Sequence, residues 1–348
     1  MGPLPPPLGG TTVLFEDFVR RFGGVCEKFE VVDTNDKVAG AFIARCTKML
    51  TQWYLIFRAL WGVDVVVLHA SARRAVFSGA VLYLLTRMSG KRLVVRVFGG
   101  ALDLFFDRAG LIGRFAFSAL FRADLILLET RHLMRYFQEN FPVSNIHWLP
   151  NCRDVNYFSE DRAKTEGGRN GAFVFVGRIS RDKGVEAILE AVKVGGQDWL
   201  KVDFFGPLDD GYTPDYLNSQ PGVRYGGVVP SDHVPELLGK YTALVLPTVY
   251  EGEGYPGVVL EAFSQGTPVV ANSWRAIPEI VVDGESGLLV PVGDTLALVN
   301  ALRRVLFDEN LWAKLSMGAR EGYQFFDADV WHKKAWIEWM SEVRGVRK

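Results

Sequence analysis

Two short segments hold residue types from which a binding and reacting site can be built. The first is "GRISRDKG", residues 177–184, which follows the apolar run "AFVFV" and so occupies a strand-to-helix turn. Its two cations, Arg178 and Lys183, and two glycines, Gly177 and Gly184, suit an anionic group lying against a helix N-terminus. Arg178 could hold a phosphate in two-pronged fashion. The plain alternative is a solvated turn with surface charges. The second is "YEGEGYPGVVLEAFSQGTPVVAN", residues 250–272, where three glutamates sit within what reads as a buried loop, helix and strand. Buried carboxylates are costly unless they are paired or meet a polar ligand. Pro256 suits the first turn of a helix, so a helix should begin near Pro256 and Gly257 and present free backbone N–H groups able to take a diphosphate. Glu261 then lies about one turn inside, where a carboxylate can accept from ribose hydroxyls. Glu253 stands ahead of the helix, as a ligand carboxylate or as a charge favoured by the helix dipole.

The elements that must position these residues follow from the apolar pattern. Short β-branched runs alternate with helical stretches throughout, the mark of parallel sheets built from βαβ units. In the first half the strand candidates are 29–34, 63–70, 92–99, 123–130 and 145–150; in the second they are 172–179, 202–207, 223–228, 242–248, 267–272 and 286–291. Between them, "DRAKTEGGRNG" (161–171) has a linker composition. The expected fold class is α/β, with two doubly wound, Rossmann-like domains facing a central cleft, over 1–160 and 161–325. A last helix within 326–348 is expected to pack back toward the first domain. In such sheets ligands bind beyond the carboxyl ends of the strands.

At 348 residues the chain can bury two cores. With 39 basic and 40 acidic side chains it is near neutral, which gives no ground for a nucleic-acid partner. Residues 1–150 carry 18 Lys/Arg against 12 Asp/Glu, and the remainder 21 against 28, so the first half is the one suited to an anionic surface. Cys26, Cys46 and Cys152 are too few and scattered for a disulfide framework or a zinc site; they read as small core residues in a reducing compartment. The run "AVFSGAVLYLLT" is far short of a membrane span, and "MGPLPPPLGG" lacks the form of a secretory signal.

Taken together and in this order, "GRxSxxKG", "EGxGxPGxxLEAFxxGTPVVA" and "PEIVxDGxSGLLVPxGD" resemble the retaining glycosyltransferases of family 4, which have the GT-B fold. Glu253 and Glu261 match that family's paired-glutamate motif, and "PTVYEGEGYPG" looks most like members that build bacterial capsule or exopolysaccharide units. The resemblance implies that Arg178 and Lys183 neutralise a nucleotide diphosphate and that Glu261 binds the ribose. It implies that Glu253 contacts the donor sugar near its reacting face, with Gly257, Val258 and Val259 giving amides to the phosphates. The backbone at Gly227 and Val228 would lie near the base, and "PLGG", with Gly9 and Gly10, matches the glycine loop of the first domain. Glu251 is then a loop charge. Such a site needs no metal or other cofactor, because fixed positive charge stabilises the departing oxygen. Asp327-Ala-Asp329 is formally a D-x-D, but it precedes the last helix and suits a capping role.

On the acceptor side, the loop where many relatives carry a histidine reads "RVFGGALDLFF", which leaves His69 and Asp103 as the candidate bases. His69 is equally readable as a core histidine. Relatives also carry a strand ahead of the glycine loop, so a hydrophobic segment upstream of Met1 is expected. The activity implied is transfer of a hexose, with retention, from an NDP-sugar, UDP first among them, to a hydroxyl of a lipid-linked or polysaccharide acceptor. An epimerase of the same architecture and a catalytically silent sugar-binding partner are the rival readings. The expected place is the cytoplasm, peripheral to the inner face of the plasma membrane. The helix expected over 41–61 is apolar around most of its circumference. Either a neighbouring helix covers the excess, or Trp53, Tyr54, Phe57 and Trp61 enter an anionic headgroup layer beside Arg58, Arg73 and Arg74.

Overall fold

A computed structural model describes residues 1–5, 10–35, 42–154, 171–334, 339, 341 and 343. The chain divides into two compact units, one of Met1–Pro150 with Lys333–Lys348 and the other of Asn151–His332. Most of the expected linker lies outside the described residues.

In the first unit, α1 (Gly10–Phe22) and α2 (Phe42–Leu60) precede β1 (Val65–Ser71), followed by α3 (Ala72–Met88), β2 (Arg92–Phe98), α4 (Leu102–Asp107), α5 (Leu111–Leu120), β3 (Leu125–Leu128), α6 (Arg131–Asn140) and β4 (Ile146–Trp148). The four strands are parallel in the order β1-β2-β3-β4. Their runs of Val, Leu and Ile are buried because helices cover a parallel sheet. Phe117, Phe121 and Phe137 stack within this core. Met1 lies along the outer edge of β1: its ammonium donates to the Val67 carbonyl at 2.8 Å and its carbonyl accepts from the His69 amide at 2.8 Å.

One expected strand does not form. Residues 29–34 make only an isolated bridge, Asp33 with Gly2. The backbone beside them is "GPLP", and Pro3 and Pro5 have no N–H to extend a ladder.

The second unit runs β5 (Phe173–Val176), α7 (Val185–Gly195), β6 (Val202–Phe205), α8 (Pro214–Asn218), β7 (Val223–Tyr225), α9 (Val234–Leu238), β8 (Ala243–Leu246), α10 (Gly257–Ser264), β9 (Val269–Asn272), β10 (Gly287–Val290), α11 (Thr295–Phe307) and α12 (Glu309–Phe325), and the division between the units falls within α13 (Ala328–Lys334), after His332. Its six strands are parallel, in the order β7-β6-β5-β8-β9-β10. Strand order therefore reverses between β5 and β8, where a doubly wound sheet leaves a crevice at the carboxyl ends. The two segments singled out from the sequence are the loops that follow these two strands. Asp294 and Asp308 cap α11 and α12 by accepting from Ala297 and Leu311 amides. Asp327 plays the same kind of part before α13, accepting from the Asp329 amide at 2.7 Å.

Candidate functional site

The loop after β5 is built to bring a cation inward. Residues Arg181–Lys183 form a single 3₁₀ turn, and Gly184 caps α7 with φ +85°. A Cβ on Gly184 would stand 2.1 Å from the Pro247 carbonyl oxygen, so glycine is required there both by φ and by the end of β8. The Val249 amide donates to the Asp182 carbonyl at 2.8 Å, tying the two loops together. Lys183 is thereby aimed at the second loop: Nζ donates to Glu253 Oε2 at 2.6 Å. The same oxygen accepts from Thr248 Oγ1 at 2.7 Å.

Glu253 is a buried carboxylate, its side chain 7% exposed, and Lys183 and Thr248 are the groups that make its burial tolerable. The Lys183 ammonium also lies 4.8 Å from the centre of the Tyr250 ring, a further cation contact. Arg178 is more open. Its guanidinium pairs with Asp182 at 3.0 Å and Asp209 at 3.3 Å, and it stays nearly half exposed. Two carboxylates thus orient Arg178 without enclosing it, which suits a group that grips a polyanion from solvent.

Helix α10 begins at Gly257, with Pro256 as its N-cap rather than within its first turn. The Pro256 side chain cannot cap, so the amides of Gly257 and Val258 depend on other partners. Val259 instead donates back to the Pro256 carbonyl at 3.0 Å and is buried, which separates it from the other two amides expected to meet phosphate. Glu261 lies one turn in, and its Oε1 accepts from Arg153 Nε at 3.2 Å. Arg153 was not anticipated. It follows β4 by five residues in a stretch read only as a strand end, and its signal was a cation and an amide, Asn151, together beyond a strand. Arg153 Nη1 donates to Asn151 Oδ1 at 2.8 Å and to the Cys152 carbonyl at 3.1 Å. Cys152 itself is buried, as expected; Cys26 is only half-buried, and the side chain of Cys46 lies outside the description.

Of the remaining expected positions, Gly227 has φ +85° and accepts from the Gly206 amide at 2.9 Å. Val228 beside it is exposed, and so is Glu251. Gly10 is the exposed first residue of α1, whereas Gly9 lies outside the described residues.

The two candidate bases of the first unit have separate fates. His69 is 1% exposed and its ring lies among Phe15, Phe18 and Phe98, with centroids 5.1, 4.4 and 5.9 Å away. Helix α1 folds over that face of β1, so the imidazole lies in the core, which is the second of its two readings. Asp103 opens α4 at the carboxyl end of β2 and is buried. Its Oδ2 lies 2.9 Å from His132 Nε2, in the first turn of α6 after β3. A buried carboxylate holding a half-exposed imidazole fixes the orientation of that ring. The loop before α4 is pinned by Glu129, which accepts from the Gly99 amide at 2.9 Å.

On α2, Tyr54, Phe57 and Arg58 are exposed and Trp53 half-buried, and Trp61, just past its end, is exposed. Arg73 is exposed at the start of α3. Arg74 is half-buried, and its guanidinium donates to the Thr34 carbonyl at 2.6 Å. Among the described residues, no helix is long and apolar enough to cross a membrane, and no group of three or more His, Cys, Asp or Glu could hold a metal ion.

Two helix-covered parallel-sheet units, the second with paired charges at its strand reversal, are the architecture of the GT-B fold. Residues 170–308 match the family described as Glycosyl transferases group 1. The chain is similar to the lipopolysaccharide core biosynthesis glycosyltransferase LpsE of Rhizobium meliloti (strain 1021), 28% identical over 51% of this chain and 54% of that protein. It is also similar to the phosphatidyl-myo-inositol mannosyltransferase of Mycobacterium leprae (strain TN), 29% identical over 69% of this chain and 61% of the relative. The matches thus span little more than half the length of these relatives. Anabaena HepE, solved in complex with UDP, superimposes with a TM-score of 0.71 at 17% identity, covering 92% of this chain and 87% of that one, which shows the shared fold.

Proposed function

We propose that the protein is a retaining glycosyltransferase that moves a hexose from a nucleotide diphosphate sugar, UDP first among the carriers, to a hydroxyl of a lipid-linked or polysaccharide acceptor. The observation that carries this reading is the convergence at the β5/β8 reversal. Lys183 is paired with buried Glu253 four residues before α10, and Glu261 lies one turn within it. Arg178, Lys183 and the opening amides of α10 take the diphosphate, and its departing oxygen is stabilised by fixed positive charge in place of a metal. Glu253 orients the sugar, and Glu261 accepts from the ribose. The UDP in the HepE complex and the polysaccharide and lipid products in the relatives' names support the donor and acceptor classes.

In the first unit the Asp103–His132 pair replaces His69 as the acceptor-side group. His132 receives the hydroxyl and Asp103 fixes the ring. The exposed aromatics of α2, with Arg58 and Arg73, bring the enzyme to an anionic lipid surface at the inner face of the plasma membrane. Incubation with a panel of NDP-sugars separates this reading from its rivals. Acceptor-dependent nucleotide release supports a transferase. Interconversion of the sugar nucleotide without acceptor would make it an epimerase, and binding without turnover a silent partner.

A further inference from the structure

The position of Arg153 is electrostatically odd. Its guanidinium lies against the start of α10, close enough that a Cβ on Gly257 would meet Nη2 at 1.9 Å and the central carbon at 2.9 Å. A helix N-terminus carries partial positive charge and open amides, and a cation beside it is disfavoured unless negative charge joins them. Part of that charge is Glu261, bound through Nε, and part of the geometry is Asn151, bound through Nη1. Nη2 takes part in neither contact and is the nitrogen nearest the helix start. The Arg153 backbone is fixed as well: its amide donates to the Phe326 carbonyl at 3.1 Å and its carbonyl accepts from the Ala328 amide at 2.9 Å. The side chain is only 13% exposed, so its direction is set by contacts and not by solvent. Gly257 has no positive φ, and what a Cβ there would meet is the end of this guanidinium.

We infer that Arg153 is a diphosphate ligand of the donor site, a third cation beside Arg178 and Lys183, and the one that makes the α10 N-terminus selective for a nucleoside diphosphate over a nucleoside. The inference rests on the donor reading given above. Glu261 then has two duties through its two oxygens: Oε1 holds Arg153, and Oε2 faces the ribose. Nη2 and the Gly257 and Val258 amides form one concave donor set for a phosphate.

Calorimetric titration of the wild type, Arg153→Met and Arg153→Lys with UDP, GDP and ADP, and with the matching nucleosides, tests it. The expected result with Arg153→Met is a loss of about 10- to 100-fold in affinity for the preferred diphosphate, the size of a charge-assisted contact, with the nucleoside changed by less than about twofold. Arg153→Lys should recover part of the diphosphate affinity. An unchanged diphosphate affinity in Arg153→Met overturns the inference. So does an equal loss for diphosphate and nucleoside, which would make Arg153 only a prop for Glu261. A wild type that binds none of the three diphosphates removes the donor reading itself, and the inference with it. Thermal unfolding of both variants shows whether the fold is kept.

Discussion

The two units share a parallel sheet covered by helices, yet they differ in where they put charge and where they put apolar surface. In the second, strand order reverses beside β5, and acid–base pairs collect at that point: Lys183 with Glu253 and Arg153 with Glu261. In the first, the four described strands run in one order without reversal, and its polar pair, Asp103 with His132, spans two neighbouring loops. Among the described residues, the most exposed large apolar side chains all belong to the first unit: Trp61 at 81%, Met88 at 86%, Leu111 at 90%, Ile112 at 81% and Phe115 at 75%. A reversal in strand order opens a crevice in which ions can be paired and oriented. A sheet without one leaves recognition to its loops and outer helices.

The contrast breaks first at Glu253. Glu253→Gln should lower turnover by roughly 10²–10³-fold, as for loss of one preorganised electrostatic group, while UDP binding changes little. Equal losses in both would mean that Glu253 is a phosphate-site residue. Lys183→Met should weaken UDP binding by about 10- to 100-fold. It should also cost roughly 3–5 kcal/mol of stability, because it strands a buried carboxylate. The double variant Lys183→Met/Glu253→Gln should regain most of that stability and none of the affinity. If denaturant unfolding finds the double variant no more stable than Lys183→Met, the pair is not what sustains Glu253 in the core.

In the first unit, His132→Gln should reduce acceptor-dependent turnover about 100-fold, the low end for a proton-transfer group, and leave UDP affinity untouched. A change in UDP affinity would erase the division of labour between the units. The smallest expected effects lie on the outer helices. Arg58→Glu and Arg73→Glu should each lower partition onto anionic vesicles about fivefold, corresponding to roughly 1 kcal/mol per basic residue. Unaltered sedimentation in the double variant would detach α2 from the membrane.

Much of this was legible because local rules and tertiary structure agree. Every described strand overlaps a segment read from the sequence as a strand, and the start of α10 was marked by Pro256 and Gly257. The failures share a cause, which is dependence on a partner far along the chain. Residues 29–34 have strand composition, but their neighbour is a proline-interrupted segment that cannot extend a ladder. His69 sits at a strand end as required, and only the packing of α1 decides that its ring faces Phe15 and Phe18. Arg153 precedes Glu261 by more than a hundred residues, with a whole half-sheet between them, so no spacing rule connects the two. Glu253 and Lys183 were each singled out by residue type and place, but their mutual pairing is a fact of the crevice.

The order β7-β6-β5-β8-β9-β10 also bears on how the second unit assembles. Strands β5, β6 and β7 are neighbours in sequence as well as in space, as are β8, β9 and β10, so each trio can form from contacts near in the chain. The seam between them, where Phe173 pairs with Ala243, joins the first strand of one trio to the first of the other across a long intervening loop. Closing such a loop is entropically costly and kinetically slow. The seam is therefore the step most apt to limit the folding rate, and it is also the step that creates the crevice. A ligand that engaged both loops would bind only molecules in which the seam has closed, and would stabilise that junction by mass action.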